Sequence, residues 1–481
     1  MRKTKIVCTL GPATDDVKVM RGLINAGMNV ARFNFSHGTH EEHLKRLKLV
    51  KRVRTELGAY VATMLDTKGP EIRIGTFKNG PINLKLGDKF MITARDVEGN
   101  QEQVSVLYKD FPREVIVGTR VLLNDGLAEM TVDSIDGEDV HLTVQNNCVL
   151  SDHKSINLPD INVSMPFISD ADMSDILFGI ENEFDFIALS FTRNKDDVMQ
   201  VRKLLEEHGS KMRIIAKIEN TEGVEKIDEI LEVVDAIMVA RGDLGVEIPF
   251  TEMPKVQKDL IHKCYTSGKP AITATQMLES MVTNPRPTRA EVTDIANAIY
   301  DGTSAIMLSG ETAAGNFPVR AVETMSAIAE ATENSIDYNH ELRMRSYADR
   351  LTITDSIAHS ACQVGMDIGA KAIVTVTQTG YTSRHLSKYR PSLPIIGCTD
   401  TEQVCRFMAL SWGVVPVLMS TVRSTDELID LSIAAAQNKG LLEEGDLVVV
   451  TAGVPVGVSG STNILKAHTV GKASLEGVWK D

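Results

Sequence analysis

Along the first two-thirds of the chain, short β-branched apolar runs alternate with stretches of helical spacing. "TKIVCTLG", "NVARFNFS", "VATMLDTK", "FDFIALSF", "RIIAKIEN", "AIMVARGD", "PAITATQ" and "AIMLSGE" each read as a buried strand, eight in all. Most segments between them read as helices. "THEEHLKRLKLVKRVRTELG" opens with Thr39 and Glu42 at capping-box spacing, and Thr288 with Glu291 repeats the signal after "NPRPT". Eight β/α units predict an α/β fold, a closed parallel (β/α)8 TIM barrel.

One gap breaks the rhythm. From Lys68 to Phe184 the chain is far longer than a crossover helix requires. Inside it, "INLKLGDKFMITA", "TRVLLNDGLAEMTVD" and "EDVHLTVQ" alternate with period two between Asp-Gly and Glu-Gly turn signals. Residues 71–165 therefore read as an all-β domain inserted after the third barrel strand, a hinged lid, leaving 1–70 and 166–340 to the barrel. Beyond a helical stretch, "KAIVTVTQTG", "LPIIGCTD", "GVVPVLM" and "DLVVVTAGVPVG", closed by "ILKAHTVG", predict a doubly wound C-terminal α/β domain over 341–481.

Composition narrows the partners. A formal net charge of −14 argues against nucleic acid or an anionic membrane surface. No apolar run is long enough to cross a membrane, and the one in "MRKTKIVCTLGP" is too short for a signal peptide. Six scattered cysteines without a CxxC pair suit free thiols in a reducing, cytoplasmic setting. An anionic ligand would need local cations acting against the global field.

Such cations interrupt the strands. In "RIIAKIENTEG", Lys217 and Glu219 fall two positions apart, on one side of an apolar strand near its end. Barrel chemistry belongs at the C-terminal strand ends, and the same parity recurs there. Arg32, Asn34 and Ser36 share it, as do Asp66 with Lys68, Arg241 with Asp243, Thr273 with Thr275, and Ser309 with Glu311. A lone Lys/Glu pair is as readily structural as functional; its recurrence from strand to strand carries the reading. Glu219 and Asp243 offer the one or two carboxylates that Mg²⁺ takes, with water and substrate oxygens completing the octahedron. Lys217 and Arg32 suit the charge of a phosphoryl group in transit. "RGDLG" flanks Asp243 with Gly242 and Gly245, and a helix beginning there would favour a substrate carboxylate.

"MNVARFNFSHGTHEEH", "LDTKGPEIR", "AKIENTEG", "IMVARGDLGVEIP", "TATQMLESM" with "NPRPTRAE", and "MLSGETAAG" together resemble pyruvate kinase, in that family's order and over almost the whole chain. The resemblance implies phosphoryl transfer from phosphoenolpyruvate to ADP, giving pyruvate and ATP, the last step of glycolysis. It implies Lys217, Arg32 and Thr275 as catalytic residues, with Gly242 and Asp243 joining them around phosphoenolpyruvate. Glu219 and Asp243 would hold Mg²⁺ or Mn²⁺. Asn34, Ser36, Asp66 and the Thr67 carbonyl would hold K⁺, an all-oxygen set that suits that ion. Asn34, His37, Arg73 and Lys154 would meet the nucleotide. Ser309 or Glu311 would belong to a water relay that protonates the enolate. Glu71 matches the potassium-dependent pattern, as an excess negative charge that a bound cation would balance. The family also implies a homotetramer.

In the C-terminal part, "TQTGYTSRHLSKYRP" resembles the family's allosteric phosphate loop, with Thr377, Thr379, Thr382 and Ser383 as candidates. The facing "GVPVGVSGSTN" has no Arg or Lys for a second phosphate, so a monophosphate effector is expected. Thr67 and Lys68 also match the potassium-dependent pattern, from which Ile74 departs, while Asp160 and "MPFISDAD" are departures that bear on lid closure rather than chemistry. Two other classes compete: a metal-dependent lyase working through a pyruvate enolate on a related barrel, and a non-catalytic metabolite sensor. Neither has a use for Lys217 beside both carboxylates.

Overall fold

The computed structural model describes every residue except 160, 162, 346–351, 423, 456–461 and 472–481, and leaves out the side chains of 425 and 426. Asp160 and the middle of "GVPVGVSGSTN" thus lie outside the described residues. Eight parallel strands close into a ring in sequence order: Lys5–Thr9, Val30–Asn34, Ala62–Asp66, Phe186–Leu189, Arg213–Ile218, Ala236–Ala240, Ala271–Ala274 and Ala305–Leu308. The eighth pairs with the first, Lys5 opposite Ala305, which completes the barrel.

Alternation sorts the strand side chains into two files. Ile6, Phe33, Leu65, Ile187, Ile214, Ile237 and Ile306 pack outward with the helices. Val7, Val30, Met64, Ala188, Ile215, Met238, Ile272 and Met307, one from each strand, meet in a second cluster that only the barrel interior can unite. Following the inner file to the C-terminal ends, Val30 gives way to Arg32, Met64 to Asp66, Ala188 to Ser190 and Ile215 to Lys217. The interior thus turns polar at the C-terminal mouth.

Both capping boxes form. Thr39 accepts from the Glu42 N–H at the head of helix His40–Glu56, and Thr288 does the same for Glu291 at helix Arg289–Tyr300. Between Asp66 and Phe186 a seven-stranded sheet stands on a stem of two short strands, Ile72–Arg73 and Ser155–Asn157, which pair antiparallel. It has its own apolar core and one four-residue helix, Phe111–Glu114, besides its strands. Its hairpin turns sit where the sequence places Asp-Gly: Asn124, Asp125 and Gly126 all adopt positive φ, as does Gly137.

The C-terminal sheet runs Val414–Leu418, Ile395–Thr399, Ala372–Val376, Leu447–Gly453, Thr462–Thr469, with the last strand antiparallel. It packs under the barrel's N-terminal end: Lys5 Nζ donates to the Val414 carbonyl at 2.7 Å, and Phe407 meets Phe186 edge-on at 5.8 Å. The lid and the polar mouth are therefore at the opposite end from this sheet.

Candidate active site

Four charged side chains interlock at the barrel mouth. Arg32 Nε lies 2.5 Å from Asp66 Oδ2, and its Nη1 donates to Thr9 Oγ1 at 2.9 Å. Lys217 Nζ lies 3.1 Å from Asp66 Oδ1 and 2.9 Å from Glu219 Oε1. All four are buried, at 7% exposure for Arg32, 8% for Lys217, 1% for Glu219 and none for Asp66. Burial alone would strip Lys217 of its proton, but Asp66 and Glu219 outweigh it and lift its pKa above the usual lysine value. Burial likewise opposes the charge on Asp66, and Arg32 with Lys217 reverse it, so that carboxyl titrates below its ordinary value. Glu219 is the exception. Burial, reinforced by the charge on Asp243, outweighs Lys217 and raises it to about 7.

Glu219 Oε2 accepts the Phe191 N–H at 2.7 Å, while Oε1 faces the Lys217 ammonium at 2.9 Å. Burial still outweighs that partner, so the carboxylate would gain from a further cation. Asp243 lies in the first turn of helix Arg241–Glu247, close enough for its charge to act on Glu219, Lys217 and Glu71. Among the described residues no group of three or more His, Cys, Asp or Glu side chains is arranged around a metal position. Two carboxylates whose charges oppose each other fit an ion that takes its remaining ligands from water and substrate.

Strand parity fails where the strands stop. The sixth ends at Ala240, so Arg241 turns away to Asp294 and the Thr275 carbonyl, both at 2.7 Å, rather than sharing a face with Asp243. The seventh ends at Ala274. Thr273 belongs to its outer file, bonding Thr303 at 2.9 Å, and Thr275 reaches the mouth through a left-handed backbone, φ +70°. Its Oγ1 accepts the Gly242 N–H at 2.8 Å and donates to the Ala274 carbonyl at 2.6 Å. The two groups expected around a substrate carboxylate thus hold each other. Glu311, expected with Ser309 in the proton relay, accepts the Leu278 and Ser309 N–H groups at 3.0 and 2.6 Å, one on each oxygen, and ties two loops together.

The potassium argument from Glu71 meets a second cation. Arg73, two residues on, holds Glu71 Oε2 at 2.7 Å from Nη2 and 2.9 Å from Nε, although burial, reinforced by Asp243, still raises the Glu71 pKa. Of the oxygens assigned to K⁺, Asn34 Oδ1 accepts the Ser36 N–H at 3.1 Å and the Thr67 carbonyl accepts Ser190 Oγ at 2.6 Å. Arg73 also donates to the His153 carbonyl at 2.9 Å, on the stem where Lys154 is half-buried, while His37 is exposed on the barrel side. A cavity of about 280 Å³ runs between stem residues such as Glu71, Ile72 and Asn157 and barrel residues such as Phe191, Asn220 and Glu247.

Three contributors escaped the sequence reading. Ser190 ends the inner file of the fourth strand and accepts Lys217 Nζ at 2.6 Å. Phe191, at φ +54°, presents its N–H to Glu219. Thr9 anchors Arg32. The inner-file parity that singled out Lys217 points equally to Ser190 and had to be read one strand earlier.

In the C-terminal loop, Thr379 is exposed, but Thr377 is buried, Thr382 bonds Thr462 at 2.8 Å, and Ser383 is fully buried with an unpartnered hydroxyl. Ser383 lies in the first turn of helix Tyr381–Lys388.

Residues 1–322 match the family description "Pyruvate kinase, barrel domain" and residues 355–468 "Pyruvate kinase, alpha/beta domain". The chain is 50% identical over 479 residues to a pyruvate kinase of Geobacillus stearothermophilus, spanning 99% of this chain and 82% of that protein. It is 48% identical over 472 residues to one of Clostridium acetobutylicum, covering 98% of this chain and all of the relative. A crystal structure of a pyruvate kinase from Cryptosporidium parvum superimposes with a TM-score of 0.92 at 41% identity, covering 97% of this chain and 96% of that one.

Proposed function

The chain belongs to the pyruvate kinase family, and from that premise we propose that Lys217, Arg32, Thr275, Glu219 and Asp243 perform its phosphoryl transfer from phosphoenolpyruvate to ADP. The protein is a phosphotransferase of glycolysis. The observation that carries the residue assignment is the buried ammonium of Lys217, kept charged between Asp66 and Glu219 at the open end of the barrel.

Lys217 presents a fixed positive charge to the migrating phosphoryl group and to the enolate oxygen left behind, in a site where water is largely excluded. Arg32, clamped by Asp66 and Thr9, meets the phosphate without first losing side-chain freedom. The Gly242 N–H and the Thr275 hydroxyl exchange their mutual bond for the substrate carboxylate. Thr275 is held ready by a strained backbone. Glu219 and Asp243 hold the divalent ion, Mg²⁺ or Mn²⁺, which when bound polarises phosphoryl oxygens and offsets their charge. The family generally needs a divalent metal and K⁺; here Asn34, Ser36, Asp66 and the Thr67 carbonyl are assigned to K⁺.

Arg73 and Lys154 on the lid stem, with Asn34 and His37 below, are assigned to the nucleotide in the cleft between lid and barrel. Among the described residues no helix is long and apolar enough to cross a membrane, and we assign the enzyme to the cytoplasm as a homotetramer. A monophosphate effector is assigned to the loop around Thr379, the accessible member of its candidate set. Pyruvate release from phosphoenolpyruvate, followed with and without ADP, tests the residue set. ADP-dependent release that survives Lys217→Met or Glu219→Gln unchanged would overturn it.

A further inference from the structure

Ser190 stands between two features that the reaction uses separately. Its Oγ accepts the Lys217 ammonium at 2.6 Å and donates to the Thr67 carbonyl at 2.6 Å. The other acceptor within reach is Asp66 Oδ1 at 3.3 Å, the same oxygen that lies 3.1 Å from Lys217 Nζ. The serine is 2% exposed, and its own N–H donates to Thr67 Oγ1 at 3.2 Å. Gly69, at φ +73°, makes room for it: a Cβ there would come within 2.8 Å of the Ser190 Cβ and carbonyl oxygen. The next residue delivers the Phe191 N–H to Glu219 at 2.7 Å. One strand end thus grips Lys217 with a hydroxyl and Glu219 with an amide.

We propose that Ser190 is a positioning residue that couples a monovalent cation at the Thr67 carbonyl to the ammonium of Lys217 through the single proton of its hydroxyl. The inference rests on the assignment of that carbonyl to K⁺. A hydroxyl has one proton to give, and with Lys217 donating to it, Ser190 must pass that proton to Thr67 or to Asp66. Positive charge at the Thr67 carbonyl disfavours a proton pointed at the same oxygen. Asp66 is assigned to the same cation but keeps a negative charge that the carbonyl lacks, so Ser190 turns its proton to Asp66 Oδ1, where it shares the oxygen that otherwise holds Lys217. The ammonium is released from part of its carboxylate grip and faces the substrate. A purely structural Ser190 would lower activity equally with and without K⁺.

The test uses the full chain and two readouts. Cation binding is read as the rise in Tm when tetramethylammonium is replaced by K⁺, with Tl⁺ NMR as a direct check. Coupling is read as the ratio of turnover in the two salts. In Ser190→Ala the Tm rise is retained while the activation ratio falls by about fivefold or more, the scale of an ordinary coupling between sites. Ser190→Thr, which keeps the hydroxyl, restores the ratio. If the alanine variant does not fold, Ser190→Cys replaces it with the same expected pattern. An activation ratio unchanged in the alanine or cysteine variant overturns the coupling. So does joint loss of binding and activation, which would make Ser190 part of the cation site itself. A wild-type chain that neither binds K⁺ nor responds to it removes the Thr67 site, and the inference falls with that premise.

Discussion

Lys217 Nζ approaches Glu219 Oε1 to 2.9 Å, yet the ammonium does not hold that carboxyl at its ordinary value. With burial and Asp243 both acting against its charge, Glu219 titrates near 7 in the metal-free protein.

Divalent metal must displace the proton that Glu219 carries below that value. Apparent Mn²⁺ affinity, measured by electron paramagnetic resonance, is expected to fall about tenfold for each pH unit below about 7 and to level off above it. The raised pKa has a second consequence for the metal-free fold. From the unfolded value of 4.5 up to about 7 the folded state binds the extra proton, so stability falls as pH rises through that window. Glu219→Gln should lose most of the affinity and all of the slope. A wild-type affinity flat between acid and neutral pH would count against the assignment.

Replacing Lys217 by methionine removes the charge aimed at the reacting group. Loss of one such fixed donor typically costs about 10²–10³ in kcat, and KM for phosphoenolpyruvate should move less. The same change leaves Asp66 sharing Arg32 alone and Glu219 with no cation, a broken buried network worth about 3–5 kcal/mol of stability. Stopped-flow turnover and denaturant melts separate the two effects. An active, fully stable methionine variant would show that the ammonium neither reacts nor balances charge.

The barrel was legible because its signals are local: the alternation of Val30 with Arg32 or Ile215 with Lys217, and the boxes at Thr39 and Thr288. Family motifs located the mouth. What the sequence hid depends on where a strand stops. Thr275 and Asp243 lie just beyond strand ends, so alternation no longer set their direction, and Arg241 swung out to Asp294. The Glu71–Arg73 pair was hidden for a related reason. Side chains two apart share a face only in extended backbone, and their pairing is a property of the stem, not of either residue.

That pair leads to a prediction about the lid. Arg73 is half-exposed, and Glu71 with the His153 carbonyl takes three of its five N–H donors, so it can offer the others to an incoming phosphate while keeping Glu71. Arg73→Ala should raise KM for ADP by about tenfold or more, the worth of one charge-assisted hydrogen bond. KM for phosphoenolpyruvate should stay nearly constant. Because Arg73 already stands beside Glu71, Glu71→Gln should leave the K⁺ requirement intact. Loss of that requirement in the glutamine variant would restore the view that its charge is what the cation balances.

The floor of the barrel titrates as well. Lys5 is buried in the first strand, where its Nζ donates to the Val414 carbonyl at 2.7 Å and joins barrel to C-terminal sheet. Burial, reinforced by Arg2 and only partly offset by Glu333, lowers its pKa to about 7. The unfolded chain keeps that proton up to its ordinary value of 10.5. Between these two values the unfolded state binds more protons, so this residue's contribution to stability improves as pH rises. Below about 7 both states are protonated and the cost of burying the ammonium is complete. The Tm of the wild-type chain should therefore gain on that of Lys5→Met from about pH 6 to about pH 9. At the alkaline end the methionine variant lacks the bond to Val414, worth about 1 kcal/mol; at the acid end it escapes the buried charge and should match or exceed the wild type. Parallel pH profiles for the two proteins would mean that Lys5 is solvated in the folded state and that the seam to Val414 is not a closed one.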